Sequence, residues 1–202
     1  MLDGAIRRRI DPWLDRAARR LARAGITADG LSLLGFALGL ACAGAIAARG
    51  DAVALALLAS SRLADGLDGA VARAGRGATA RGGFLDIVLD FAFYGAVPLA
   101  FALRDPATNA LPACALLFAF YVNGASFLAL AAVAGKQGLV TGECGSKSFY
   151  FTAGLAEGTE TILAFAAMIA WPEAFPALAL AFAALCLVSA IARALLALKV
   201  LR

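Results

Sequence analysis

The chain has 202 residues, 62% of them hydrophobic and 16% charged, with a mean hydropathy of +0.84. One small core could not hide that much apolar surface, which argues against a water-soluble helical protein. The net charge is +4 with no histidine at all, so histidine bases and histidine metal ligands are excluded, and acid–base work falls to carboxylates, lysine, tyrosine or cysteine.

Residues 1–24 carry too many arginines to cross a membrane. Leu2, Ile6, Ile10, Trp13, Leu14, Ala17 and Leu21 recur at helical spacing with arginines opposite, and Asp11-Pro12 reads as an N-cap followed by a first-turn proline. The pattern predicts a broken amphipathic helix lying in the cytoplasmic interface and drawn to anionic lipid. A cleavable signal peptide is not expected, since no small-residue cleavage site follows an early apolar run.

Residues 25–202 read as one membrane domain. Uncharged runs cover 30–48, 106–135 and 174–192, each close to or beyond the about 20 residues that a spanning helix needs. Segments 52–72, 83–103 and 152–171 are also apolar but carry acidic residues or begin with them. The expected fold is therefore an all-α integral membrane protein with six transmembrane helices behind the interfacial N-terminal one.

Loop charge orients it. Arg7, Arg8, Arg9, Arg16, Arg19, Arg20 and Arg23 precede the first span; Arg73, Arg76 and Arg81 follow the second; Lys136 and Lys147 follow the fourth; and Arg193, Lys199 and Arg202 lie at the end. The alternate loops hold only Arg49 with Asp51, Arg104 with Asp105, and Glu173. Positive charge stays inside, so both termini should be cytoplasmic, in a multi-pass protein of the cytoplasmic (inner) membrane.

The stretch DGLDGAVARAGRGATARGGFLDIVLD, residues 65–90, sets four aspartates in otherwise apolar sequence. Asp65 and Asp68 are three apart and Asp86 and Asp90 four apart, so on two helices each pair shares a face with Cβ atoms about 5–6 Å apart. Two such helices side by side would aim the carboxylates at one point near the cytoplasmic face. Carboxylates this close repel, and in an apolar setting they need compensating positive charge, for which oxygen-bound divalent cations are suited. Cys42, Cys114, Cys144 and Cys186 are scattered with no CxxC pair and point to no redox or metal motif.

The spacing of Asp65, Asp68-Gly69, Ala72-Arg73, Gly82, Asp86 and Asp90 matches at every position the pattern D-x2-DG-x2-AR-x8-G-x3-D-x3-D, and by it the chain resembles the CDP-alcohol phosphotransferases. KSFYFTAGLAEGTETI at residues 147–162 is similar to a bacterial inner-membrane branch of that family. The resemblance implies cleavage of the diphosphate of a CDP-linked alcohol, transfer of the phosphoalcohol to a hydroxyl acceptor and release of CMP. It makes Asp65, Asp68 and Asp86 ligands of two divalent ions, Mg2+ or Mn2+, with Asp90 as a metal neighbour and the base for the acceptor. It places Asp65, Gly69, Ala72, Arg73 and Gly82 against the CDP moiety. The glycines could equally serve close helix packing, and Arg76 and Arg81 read as ordinary cytoplasmic charge. A homodimer through the third and fourth spans and a membrane-lipid partner are implied as well; no nucleic-acid partner is expected.

GITADGLSLLG at residues 25–35 looks like the family's TPN-x-LT-x-x-G, with Ala28 for proline and Asp29 for asparagine. Thr27 is expected to cap the first span or touch the nucleotide, and Asp29 to act in capping. Glu157 and Glu160, three apart in the fifth span, fall where the family binds its acceptor. Arg193 is the intramembrane cation this reading leaves for an acceptor phosphate or for these glutamates, and the acidic balance favours a neutral polyol or amino alcohol. The leading donor is CDP-diacylglycerol; the alternative in the same chemistry is a soluble CDP-alcohol with a lipid acceptor. From another class, membrane-depth aspartates alone would also suit a divalent-cation transporter, which leaves Gly69, Ala72, Arg73 and Gly82 unexplained.

Overall fold

A computed structural model describes residues 16–75, 77, 79–136 and 158–200, and every regular element among them is helical. Helix α1 occupies residues 16–23, and α2 (Ala28–Ala47), α3 (Asp51–Ala74), α4 (Ala80–Arg104), α5 (Pro106–Lys136), α6 (Gly158–Ala170) and α7 (Phe175–Val200) follow. The chain divides into two compact units, Met1–Pro106 and Ala107–Arg202.

In the first unit, α2 packs against both α3 and α4. The contact face of α2 is made of small residues, with Gly35, Gly39, Cys42, Ala43 and Ile46 buried at helical spacing. Gly39 permits a close approach: a Cβ there would fall 2.7 Å from Cδ2 of Phe93 on α4. Gly35 does the same toward α3, where Ser61 Oγ donates to the Gly35 carbonyl at 2.7 Å. Threonines start two of the helices. Thr27 Oγ1 accepts from Gly30 N at 3.1 Å and Thr79 Oγ1 from Gly82 N at 3.0 Å, each satisfying an orphan first-turn amide.

The α2–α3 turn is tight. Arg49 adopts φ of 62°, Gly50 N donates to Ala45 O at 2.8 Å, and Arg49 Nη2 reaches the Arg104 carbonyl at 2.9 Å. Arg104 grips Asp51 with both guanidinium nitrogens, Nη2 to Oδ2 at 3.1 Å and Nη1 to Oδ1. That fork ties the end of α4 to the start of α3.

Ala18, Leu21 and Ala22 of α1 pack with Leu31, Leu67, Ala70 and Val71 of α2 and α3, while Arg16, Arg19, Arg20 and Arg23 are exposed. Within the described part, Leu21 of the predicted stripe packs on this protein surface. The rest of the predicted interfacial stripe, Leu2 to Leu14, lies outside the described residues.

In the second unit α6 packs on α7, the two joined by the 3-10 turn Pro172–Ala174. Phe120 of α5 meets Phe165 of α6 and Phe182 of α7 edge to face, each with ring centroids 6.0 Å apart.

Among the described residues four helical segments are long and apolar enough to cross a membrane: Ala28–Ala47, Ala80–Arg104, Pro106–Lys136 and Pro172–Lys199. Of the other two expected spans, α3 has 24 residues but carries Arg62, Asp65, Asp68 and Arg73, and α6 is apolar but only 13 residues long within the described range. Large apolar side chains such as Leu103, Leu111, Phe118 and Leu198 stand exposed, as lipid contact requires.

Candidate active site

Helices α3 and α4 bring the predicted carboxylates together within the first unit. One oxygen from each of Asp65, Asp68 and Asp86 lies within 4.8 Å of the others. Asp65 is half-buried and Asp86 exposed, so the group opens outward from the helix pair. Three hard oxygen donors at this separation suit Mg2+ or Mn2+ rather than a softer metal. Asp90, one turn beyond Asp86 on α4, stands outside that trio and has a different partner.

The partner is Arg62, one turn before Asp65 on α3. Its Nη1 donates to Asp90 Oδ1 at 3.0 Å and lies 3.6 Å from Asp65 Oδ2, and its guanidinium rests 4.8 Å from the Phe93 ring centroid. Arg62 is thus a second cation within an apolar helix, beside the aspartates, in addition to the Arg193 expected to serve the acceptor. Ser32 of α2 joins the site as well. Its Oγ donates to Asp68 Oδ2 at 2.5 Å, so α2 steadies a carboxylate on α3. Ser32, Phe36, Arg62, Asp65, Asp86, Leu89 and Asp90 line one small cavity. Neither residue belongs to the spacing pattern; the only signal for Arg62 in the sequence is a cation interrupting an apolar segment, three positions before Asp65.

Of the residues expected at CDP, Asp65 lines this cavity, Gly69, Ala72 and Arg73 follow it along α3, and Gly82 is in the first turn of α4. Gly69 is bare except for Arg73, whose Nη1 would lie 3.5 Å from an added Cβ, so the arginine folds back along its own helix face. At Gly82 an added Cβ would meet Thr79 Oγ1 at 3.2 Å and Asp29 Oδ1 at 3.8 Å. Ala72 lies one turn beyond Gly69 on α3. Asp29 is not the cap of α2: Thr27 holds that position, because only the residue before the first turn can turn its oxygen onto the Gly30 amide. The Asp29 carboxylate instead pairs with Arg81 at 3.3 Å, an ion pair whose arginine side chain is 80% exposed. Arg76 lies outside the described residues.

Of the expected acceptor residues, Glu157 lies outside the described residues. Glu160 is in the first turn of α6, and its Oε2 is buried without a hydrogen-bond partner among the described residues. Arg193 of α7 is 5% exposed, and its Nη1 reaches Asn123 O at 2.9 Å, Asn123 Oδ1 at 3.0 Å and Ser126 Oγ at 2.7 Å, all on α5.

The CDP-alcohol phosphatidyltransferase family profile matches residues 25–201. The chain is 47% identical over 186 residues to the inner membrane protein YnjF of Escherichia coli, covering 92% of this chain and 90% of that one. It is 45% identical over 85 residues to the archaetidylinositol phosphate synthase of Methanothermobacter thermautotrophicus, covering 42% of this chain and 40% of that one. In fold it is similar to the Mycobacterium tuberculosis phosphatidylinositol phosphate synthase, solved with CDP-DAG bound, with a TM-score of 0.64 at 21% identity over 91% of this chain and 92% of that one. The structure of that enzyme with manganese and citrate gives 0.66 at 21% identity, over 92% of this chain and 89% of that one. With the motif complete and its carboxylates convergent, the chain belongs to the CDP-alcohol phosphatidyltransferase family and is a phosphotransferase for substituted phosphate groups.

Proposed function

We propose that this protein transfers a phosphatidyl group from CDP-diacylglycerol to a hydroxyl acceptor, releasing CMP, at the cytoplasmic face of a six-span inner-membrane protein with both termini inside. The observation that carries the reading is the convergence of Asp65, Asp68 and Asp86 to within 4.8 Å, with Asp90 one turn away. Those three would hold the divalent ions, Mg2+ or Mn2+, whose charge offsets the diphosphate and stabilises the departing CMP.

The chain's own groups do the rest. The acceptor oxygen attacks the phosphorus that carries the diacylglycerol; the bond from that phosphorus to the bridging oxygen breaks, and CMP leaves with that oxygen. Asp90 takes the acceptor's proton, late in the step because a carboxylate is a weak base for an alcohol. Gly69 and Gly82, which carry no side chain, admit the cytidine, with Arg73 beside its polar groups. Glu160, with Glu157 and Arg193, serves the acceptor. The supporting facts for that last assignment are that Glu160 Oε2 is buried without a partner among the described residues and that Arg193 is buried. The functional unit is a homodimer through α4 and α5, which a mass measurement in nanodiscs checks.

The test is CMP release by the purified full chain in nanodiscs containing CDP-diacylglycerol, screened with glycerol, myo-inositol, serine, ethanolamine and glycerol 3-phosphate. Release that depends on one of these and on Mg2+ or Mn2+ supports the reading. If CMP forms only from soluble CDP-alcohols, the donor assignment is overturned.

A further inference from the structure

Helix α1 presents two unlike faces. Ala18 is fully buried, and Leu21 and Ala22 pack with it against Leu31 of α2 and Leu67, Ala70 and Val71 of α3. Arg16, Arg19, Arg20 and Arg23 recur at the i, i+3, i+4 and i+7 positions of the opposite side, and all four are exposed. Like charges at these spacings repel along a helix, and an outside anion relieves the repulsion. Arg81 at the start of α4 is exposed too, but Asp29 answers it at 3.3 Å. Arg19, Arg20 and Arg23 have no carboxylate partner among the described residues. The place of α1 decides which anion fits. It packs on Leu31 in the first turn of α2, a helix long and apolar enough to cross a membrane, so the arginines stand where a spanning helix leaves the hydrocarbon. The anions at that level are lipid phosphates, which a guanidinium grips through paired N–H bonds.

We propose that Arg19, Arg20 and Arg23, extended by Arg16, form a docking surface for the phosphates of anionic lipid headgroups, and that this surface gathers anionic lipid, the CDP-linked donor included, beside the carboxylates of α3. The lipid surface stands by itself, whereas the gathering of donor rests on the reading of CDP-diacylglycerol as the donor. Ala70 and Val71, on which α1 sits, follow Asp68 by two and three positions, so α1 is seated within one turn of that carboxylate along α3. The attraction is electrostatic. It therefore favours anionic over zwitterionic neighbours, weakens with salt, and acts on the encounter with donor rather than on the chemical step. Ordinary cytoplasmic charge, spread over the loops, would instead lose the same small share of this preference wherever one positive residue is removed.

The experiment uses the purified full chain in phosphatidylcholine vesicles that carry a trace of spin-labelled phosphatidylglycerol or spin-labelled phosphatidylcholine. Electron paramagnetic resonance measures the fraction of each label slowed at the protein surface. The wild type should prefer phosphatidylglycerol at least about twofold, and about 1 M NaCl, which cuts the screening length to about 3 Å, should remove most of that preference. Arg19→Gln with Arg20→Gln and Arg23→Gln should lose at least about half of it, Arg19→Lys with Arg20→Lys and Arg23→Lys should keep most of it, and Lys136→Gln with Lys199→Gln should keep nearly all. If the neutralised triple variant does not fold, the three single variants replace it; each should lose a part, and three that all keep the full preference overturn the proposal. With the acceptor that gives most CMP in the screen above, the neutralised triple variant should raise KM for CDP-diacylglycerol, in surface mole fraction, at least about threefold with kcat within about twofold of wild type. A neutralised triple variant that keeps the full preference, or a preference that inorganic phosphate abolishes at constant ionic strength, overturns the lipid surface. An unchanged KM beside a lost preference overturns the gathering of donor. No CMP from CDP-diacylglycerol with any acceptor removes the donor reading instead, and the spin-label preference, which needs no turnover, still decides the lipid surface.

Discussion

Ser32 on α2 donates its hydroxyl to Asp68 Oδ2 on α3 at 2.5 Å, so a helix that carries none of the clustered carboxylates orients one of them. Groups that orient a metal ligand typically contribute about 10–100-fold to metal affinity. Ser32→Ala should therefore weaken Mg2+ or Mn2+ activation roughly tenfold while saturating metal restores most of kcat. Metal titration of CMP release checks it, and an unchanged activation constant would show that Asp68 needs no such support.

The trio itself should be indispensable. Asp65→Asn, Asp68→Asn and Asp86→Asn each remove charge and a ligand atom from a group whose oxygens sit within 4.8 Å, and each should lower CMP release by at least about a hundredfold. EDTA should abolish activity, and added Mg2+ or Mn2+ should restore it. Activity that survives chelation would rule the mechanism out.

In the second unit the Oε2 of Glu160, buried and without a hydrogen-bond partner among the described residues, is the group to probe. Glu160→Gln keeps the shape and removes the charge, so KM for the acceptor should rise several-fold while KM for CDP-diacylglycerol holds. Equal shifts in both constants, or none, would assign Glu160 a structural part.

Stability should depend on the opposite end of the first unit. Arg104 binds Asp51 through two nitrogens and is 11% exposed, and Asp51 lies 14 positions before Asp65 along α3, about 20 Å away at helical rise. Arg104→Ala should cost about 1–3 kcal/mol by leaving a half-buried carboxylate short of partners, which reads as a lower Tm in detergent. The rate per folded molecule at low temperature should not change. A fall in kcat with an unchanged Tm would mean that the fork acts on the site rather than on the fold.

The sequence by itself determined the membrane class, the family and the identity of the carboxylates. Apolar runs and the 3.6-residue repeat are local properties, and Asp65, Asp68, Asp86 and Asp90 sit at spacings that put each pair on one helix face whatever else packs around them. Which helix end is capped by Thr27 rather than Asp29 was a matter of one residue's backbone angles, visible only once α2 had its first turn placed. The protein contact of Ala18 and Leu21 likewise needed the surface formed by α2 and α3, since an apolar stripe reads the same whether lipid or protein covers it. Tertiary structure alone decided the partners. Arg62 and Asp90 are 28 positions apart and Ser32 and Asp68 are 36 apart, separations that carry no periodic signal. They meet because Gly35 and Gly39 let α2 lie close against α3 and α4, which brings Ser32 to Asp68 and sets Phe93 under the arginine that Asp90 and Asp65 share.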